Sequence, residues 1–296
     1  MIRRLFRADR PVAKVEARWG GPPSQFVAVG GLRTHYRDRG DPRGTEPALL
    51  LLHGSYASLH AWEGWGDALP SRRRVVALDL PGHGLTGPDP RRRYSPAAMA
   101  DFVAAFASAL ELETVAVAGN SMGGRVAAEV ALRHPERVRA LVLIDAAGLR
   151  LEPPAPLRLR FFECRAADRL ARWITPRSAL RRSLREAWGN PAGVTERLVD
   201  RCEDMILRLW NRGAARAALR QEGQEAFEAR LPRIVAPTLI MWGARDRWIP
   251  VSNARRFHER IRGSKVVIFE ELGHVPMEED PVRTAVEALR FLESSS

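Results

Sequence analysis

The chain has 296 residues, 45% hydrophobic and 28% charged, which is enough apolar side chain to bury one large core and too much to stay unfolded. Its 47 Lys and Arg against 35 Asp and Glu give a formal charge of +12, and Lys14 and Lys265 are the only lysines. Such a surplus points first to nucleic acid, but the arginines are scattered, the runs at 72–74 and 91–93 are short, and no basic stripe carries interleaved aromatic residues that would stack bases. No nucleic-acid partner is expected.

Residues 1–22 read as a basic N-terminal arm. It has the positive start of an export signal, but no apolar stretch of about 7–15 residues follows, and Asp9, Pro11 and Glu16 intervene. The longest apolar runs are too short to span a bilayer. A cytoplasmic protein is expected, with no stable membrane insertion and at most weak peripheral contact through the arm. Cys164 and Cys202 allow one disulfide at most, and free buried thiols are expected.

Residues 26–29 and 32–37, around Gly30-Gly31, predict a hairpin. Apolar runs at 48–52, 75–80, 115–118, 141–144, 238–242 and 265–269 predict buried strands, and periodic segments at 96–110 and 125–134 predict helices between them. Strands apolar on both faces, alternating with helices, describe an α/β fold with a mainly parallel central sheet flanked by helices. In such sheets ligands bind beyond the carboxyl ends of the strands.

The alternation stops at Gly148 and resumes near Pro237. The expected division is therefore a first core segment at 23–148, a helical cap at 149–232, and a second core segment at 233–296. Seventeen arginines against eleven acidic residues lie from Arg150 to Arg230, so half of the net charge belongs to the inserted segment.

The strongest chemical signal is Gly119-Asn120-Ser121-Met122-Gly123, placed between an apolar strand and a helix. This is the G-x-S-x-G nucleophile elbow in the strand–turn–helix context that it requires. A serine hydroxyl needs a base, and the base needs an orienting carboxylate. Of the seven histidines, His274 follows the last strand in the loop EELGHVP and is the natural base. His53 and His83 are expected in hydrogen-bonded structural roles, and His35, His60, His134 and His258 lack a catalytic context. Asp246, directly after the strand at 238–242, is the chosen acid, with Asp145 after the strand at 141–144 as its rival. The oxyanion donors are expected at the backbone N–H groups of Met122 and Ser55, Tyr56 being the neighbouring possibility.

The stretches LLLHGSYASLHAW, VVALDLPGHGLT, VAGNSMGGRVA, LVLIDAAG, PTLIMWGARDRWIP and EELGHVPMEEDP resemble the α/β-hydrolase superfamily. Within it the chain looks like bacterial carboxylesterase and lipase-like serine hydrolases with a helical cap, and like their C–C hydrolase relatives. The order Ser121, Asp246, His274 is that of the superfamily. Ser121 argues against the haloalkane dehalogenases and epoxide hydrolases, which use an aspartate nucleophile. Ring-cleavage C–C hydrolases usually carry a glycine-proline-glycine stretch after the HG turn and a tryptophan after the catalytic histidine, where this chain has residues 56–59, YASL, and Val275.

The resemblance implies hydrolysis of a small-molecule carboxylic ester, with short to medium acyl or aryl groups, through an acyl-enzyme and with neither metal nor organic cofactor. Tyr56, Leu59, Phe161, Phe162, Trp173, Trp188, Trp210 and Val275 are the expected apolar lining. For each cap aromatic the competing reading is packing between cap and core. C–C hydrolysis, acyl transfer to an acceptor other than water, and a non-catalytic ligand receptor stay open as alternatives. Oligomeric state has no signature in the sequence.

Overall fold

The computed structural model describes residues 8–42, 44–150, 176–219 and 224–294. Eight strands form one sheet: β1 Ser24–Val29, β2 Leu32–Arg39, β3 Ala48–Leu52, β4 Val75–Leu78, β5 Val115–Asn120, β6 Val138–Ile144, β7 Thr238–Gly243 and β8 Lys265–Phe269. Their spatial order is β1-β2-β4-β3-β5-β6-β7-β8. The β1–β2 hairpin and the β2–β4 pair are antiparallel, and all pairings beyond them are parallel. Every expected strand is present. β5 runs two residues past its apolar stretch, because Gly119 and Asn120 still pair with Leu143 and Ile144.

The helices of the described residues are α1 Val12–Trp19, α2 Glu63–Ala68, α3 Pro96–Ala109, α4 Met122–Arg133, α5 Arg177–Ala187, α6 Glu196–Leu207, α7 Asn211–Leu219, α8 Gln224–Glu228, α9 Ser252–Arg260, α10 Pro276–Glu279 and α11 Pro281–Glu293. Local chemistry sets several starts. Ser95 accepts from the Ala98 N–H ahead of α3 and Asp280 accepts from the Arg283 N–H ahead of α11, each followed by proline at the first helical position.

The side-chain period of two divides the core into two layers. Leu50 and Leu52 of β3, Val117 of β5 and Leu141 and Leu143 of β6 join Phe106 of α3, Val126 of α4 and Phe257 of α9. Leu49, Leu51, Ala116, Val142 and Ile144 point the other way, onto Trp65 of α2 and Ala288 and Phe291 of α11. Burying each such leucine is worth about 1.5–3 kcal/mol, which is why the central strands admit no polar residue until their ends.

Between β6 and β7 the described residues hold helices α5 to α8 and no strand beyond an isolated bridge between Arg10 and Arg208. Val194, Leu198, Val199 and Cys202 form a small core of their own there, with Leu180, Leu184 and Trp188 packed against it. Cys202 is a free thiol whose pKa burial pushes up to about 11; Cys164 lies outside the described residues. Helix α1 docks on α6, where Trp19 Nε1 donates to Asp204 Oδ2 at 2.8 Å and Arg18 pairs with Asp200 and Asp204. Among the described residues no helix is long and apolar enough to cross a membrane.

Candidate active site

Ser121 stands at the junction of β5 and α4 with φ 54° and ψ −117°. Few L-residues adopt this backbone, and it costs about 1–3 kcal/mol unless the surroundings over-determine it. They do so here: the Ser121 N–H donates to the Ile144 carbonyl at 3.0 Å, and its own carbonyl accepts from the N–H groups of Ala147 and Arg125. The turn needs glycine at 123, where a Cβ would run into the Leu52 and His53 carbonyls. Serine is a good N-cap residue, yet this hydroxyl makes no capping bond to α4. The Oγ is left free for other chemistry.

The loop after β3 packs directly on the elbow. A Cβ on Gly54 would come 3.0 Å from Asn120 Oδ1 and 3.2 Å from the Ser121 Cβ, so glycine sets the approach of the chain carrying Ser55. His53 braces that loop, with Nδ1–H donating to the Gly54 carbonyl at 2.8 Å and Nε2 accepting from the Leu80 N–H at 3.0 Å. Met122 begins α4, so its N–H has no acceptor within the helix. Two backbone donors, on Ser55 and Met122, thus belong to segments that meet at Ser121.

Asp246 and His274, 28 residues apart, are brought together. Asp246 Oδ1 accepts from the N–H groups of Trp248 and Ile249 at 2.7 and 3.0 Å, and Oδ2 bonds His274 Nδ1 at 2.7 Å. Both side chains are buried. The Trp248 ring lies 4.9 Å from the imidazole and restrains its tilt. With Nδ1–H given to Asp246, the remaining ring nitrogen is Nε2, unprotonated in the neutral imidazole.

The rival acid, Asp145, is in the same cluster. Its Oδ1 accepts from the Gly243 N–H at 3.1 Å, and burial together with the Asp246 charge pushes its pKa well above the ordinary carboxylate range. Asp145, Asp246 and His274 offer ligand atoms within 4.8 Å of one another, the one such grouping found among the described residues. His274 Nδ1 already bonds Asp246 Oδ2, so a cation bound through that nitrogen would have to break the pair.

Sequence reading overlooked three attachments of His274. Asn120 Nδ2 donates to the His274 carbonyl at 2.9 Å. The His274 N–H donates to the Ala187 carbonyl at the end of α5 at 2.6 Å. Glu279 accepts from Gly273 at 2.7 Å through Oε1 and from Gly189 at 2.8 Å through Oε2, tying the histidine loop to the segment after α5. Asn120 sat in plain view as the variable residue of the elbow; the other two join residues about 90 positions apart and have no local signal.

The expected lining separates. Tyr56 is half-buried two residues after Gly54, and Val275, next to His274 in the chain, is half-buried against the core layer of Trp62 and Trp65. Leu59, at the start of the short turn Leu59–Trp62, is buried in the core layer of Trp62 and Trp65. Trp188 packs on the small core of the inserted segment, and Trp210 is 68% exposed. Phe161, Phe162 and Trp173 lie outside the described residues.

A family model for the alpha/beta hydrolase fold matches residues 47–281. A monoacylglycerol lipase of Xenopus laevis is 29% identical, over 93% of this chain and 83% of its own. Among solved structures, a membrane phospholipase A described as a bacterial virulence factor superposes with a TM-score of 0.79 at 32% identity, covering 96% of this chain and 90% of its own. A meta-cleavage product hydrolase of Pseudomonas fluorescens gives a TM-score of 0.78 at 25% identity, with 92% and 98% covered. From the match over most of its length and the eight-stranded sheet, the chain belongs to the α/β-hydrolase fold family.

Proposed function

We propose that this protein hydrolyses carboxylic esters through Ser121, His274 and Asp246. The observation that carries the reading is the Asp246 Oδ2 to His274 Nδ1 bond of 2.7 Å, in a fold that holds Ser121 in a strained turn with its hydroxyl uncommitted. Nε2 of His274 takes the Ser121 proton as Oγ attacks the ester carbonyl, and Asp246 stabilises the imidazolium. The N–H groups of Met122 and Ser55 hold the developing oxyanion, each worth about 2.7–4 kcal/mol in the transition state. His274 returns the proton to the leaving alcohol, and water then releases the acid with His274 as base.

An ester is favoured over a cleaved carbon–carbon bond on two grounds. Two of the similar proteins are a lipase and a phospholipase by name. Val275 follows His274, and YASL follows the HG turn, where ring-cleavage hydrolases usually differ. Tyr56, in the turn that carries Ser55, suits an acyl or aryl chain. The structural likeness to a meta-cleavage product hydrolase keeps the second reading alive. An acyl-chain series of aryl esters, run beside a ring-fission dienone, decides between them: turnover of the esters with a burst of phenol, lost in Ser121→Ala, is expected. Preference for the dienone overturns the ester reading, and tight binding of both without turnover replaces it with a receptor.

A further inference from the structure

Asp145 is a fully buried acid that the ester mechanism does not use. It follows β6 with φ 44°, a left-handed backbone fixed by its N–H bond to the Met241 carbonyl at 3.0 Å. One carboxyl oxygen, Oδ1, accepts from Gly243 at 3.1 Å, while Oδ2 receives no hydrogen bond among the described residues. Carboxyl oxygens of Asp145 and Asp246 lie within 4.8 Å of each other and of the His274 imidazole. The titratable groups facing Asp145 are thus Asp246 from the loop after β7, His274 from the loop after β8, and Glu279 of α10, which acts at longer range.

Two carboxylates this close in a dry site cannot both stay ionised. Hydrogen bonds decide which keeps the charge. Asp246 receives two backbone N–H groups and the imidazole N–H, whereas Asp145 receives one backbone N–H. The proton therefore settles on the poorly solvated oxygen of Asp145, and the negative charge stays on Asp246.

We propose that Asp145 is a positioning residue for the reaction, a neutral carboxylic acid whose Oδ2–H donates to the Asp246 carboxylate and fixes its aim at His274. The proposal rests on the reading of Asp246 and His274 as the acid–base pair. A second charged carboxylate would hold the imidazolium too tightly for it to give its proton to the leaving alcohol. A neutral acid orients Asp246 without adding that charge.

Asparagine imitates a neutral acid, since its carbonyl accepts from Gly243 and its N–H donates to Asp246; alanine does neither. Asp145→Asn is expected to keep kcat/KM within about threefold and leave the acid limb of its pH profile in place. Asp145→Ala should lower kcat roughly tenfold with little change in KM, the scale of one lost hydrogen bond to a charged group. Infrared spectroscopy at neutral pH, on the Ser121→Ala protein, should show a protonated-carboxyl C=O band that disappears when Asp145→Asn is added. The proposal is overturned if no such band is lost, if Asp145→Asn moves the acid limb down by about a pH unit or more, or if Asp145→Ala turns over like the parent. The infrared measurement needs no turnover, so failure of the ester reading and failure of the proton assignment are read separately.

Discussion

The backbone N–H of His274 donates to the carbonyl of Ala187 at 2.6 Å, so the proposed general base hangs from the last residue of helix α5. Part of the frame of the proposed base therefore belongs to the segment between β6 and β7. Glu279 doubles the connection by accepting N–H groups from both Gly189 and Gly273.

Removing the Glu279 carboxylate leaves those N–H groups without acceptors in a half-buried place, at a cost of about 1–3 kcal/mol for each orphaned group. Glu279→Ala is expected to lower kcat about tenfold or more and to reduce the denaturant midpoint, whereas Glu279→Gln, which keeps one acceptor oxygen, should retain most of both. Burst and steady-state kinetics beside urea titrations measure the two effects. A kcat unchanged in Glu279→Ala would sever the link between the segment after α5 and the chemistry.

The proposed roles of Ser121 and Asp246 give their own scale. Ser121→Ala should abolish labelling by a fluorophosphonate and reduce kcat by roughly 10⁶-fold. Asp246→Asn should reduce it by roughly 10⁴-fold while leaving the fold intact, because the imidazole would hold the wrong tautomer. Intact-protein mass spectrometry locates the label, and circular dichroism checks the fold.

Gly54 sets how closely the Ser55 turn approaches the elbow. A methyl group there, 3.0 Å from Asn120 Oδ1 and 3.2 Å from the Ser121 Cβ, forces the turn outward by a few tenths of an ångström. Gly54→Ala should therefore act on the transition state, with kcat down roughly 10²-fold and KM nearly constant, as for loss of one oxyanion donor. An effect confined to KM would remove Ser55 from that role.

Acid should weaken the protein through histidines that the chemistry does not use. Burial lowers His60 to about 4 and His83 to about 3, so both stay neutral when folded and pick up protons near pH 6.5 when unfolded. The unfolded state thus binds more protons below about 6.5, and stability present at neutral pH declines as the pH falls toward 4 and then 3. Asp79, bonded to His35 at 2.6 Å, is held below the usual carboxylate range despite its burial and adds its own loss of stability only once the pH falls below about 4. Urea midpoints between pH 7 and 4 measure the decline, which His83→Gln should flatten.

Much of the fold and site is written locally. The elbow is legible because its turn tolerates only small neighbours, so glycines at 119 and 123 around Ser121 leave a sequence signature. The strands are legible because both faces of the sheet are covered, which turns them into unbroken apolar runs. Asp246 and His274 could be chosen because each follows such a run. Helix α1 was not legible: its eight residues bury only Val15 and Trp19, too few for a period to show. The burial of Leu59 among Trp62 and Trp65 was not legible for a related reason, since nearness to the HG turn in sequence does not say against which residues a side chain packs.

The order of strands carries one more consequence. Ser121 is delivered by β5 in the middle of the sheet, whereas Asp246 and His274 come from β7 and β8, the last two strands at one margin. β8 is paired on one side only. Fraying of that margin separates the proposed acid and base from the proposed nucleophile, so activity should be lost while most helices and central strands remain. Assays in graded urea should find activity disappearing ahead of far-ultraviolet dichroism, with amides of β8 exchanging with deuterium sooner than those of β3 and β5.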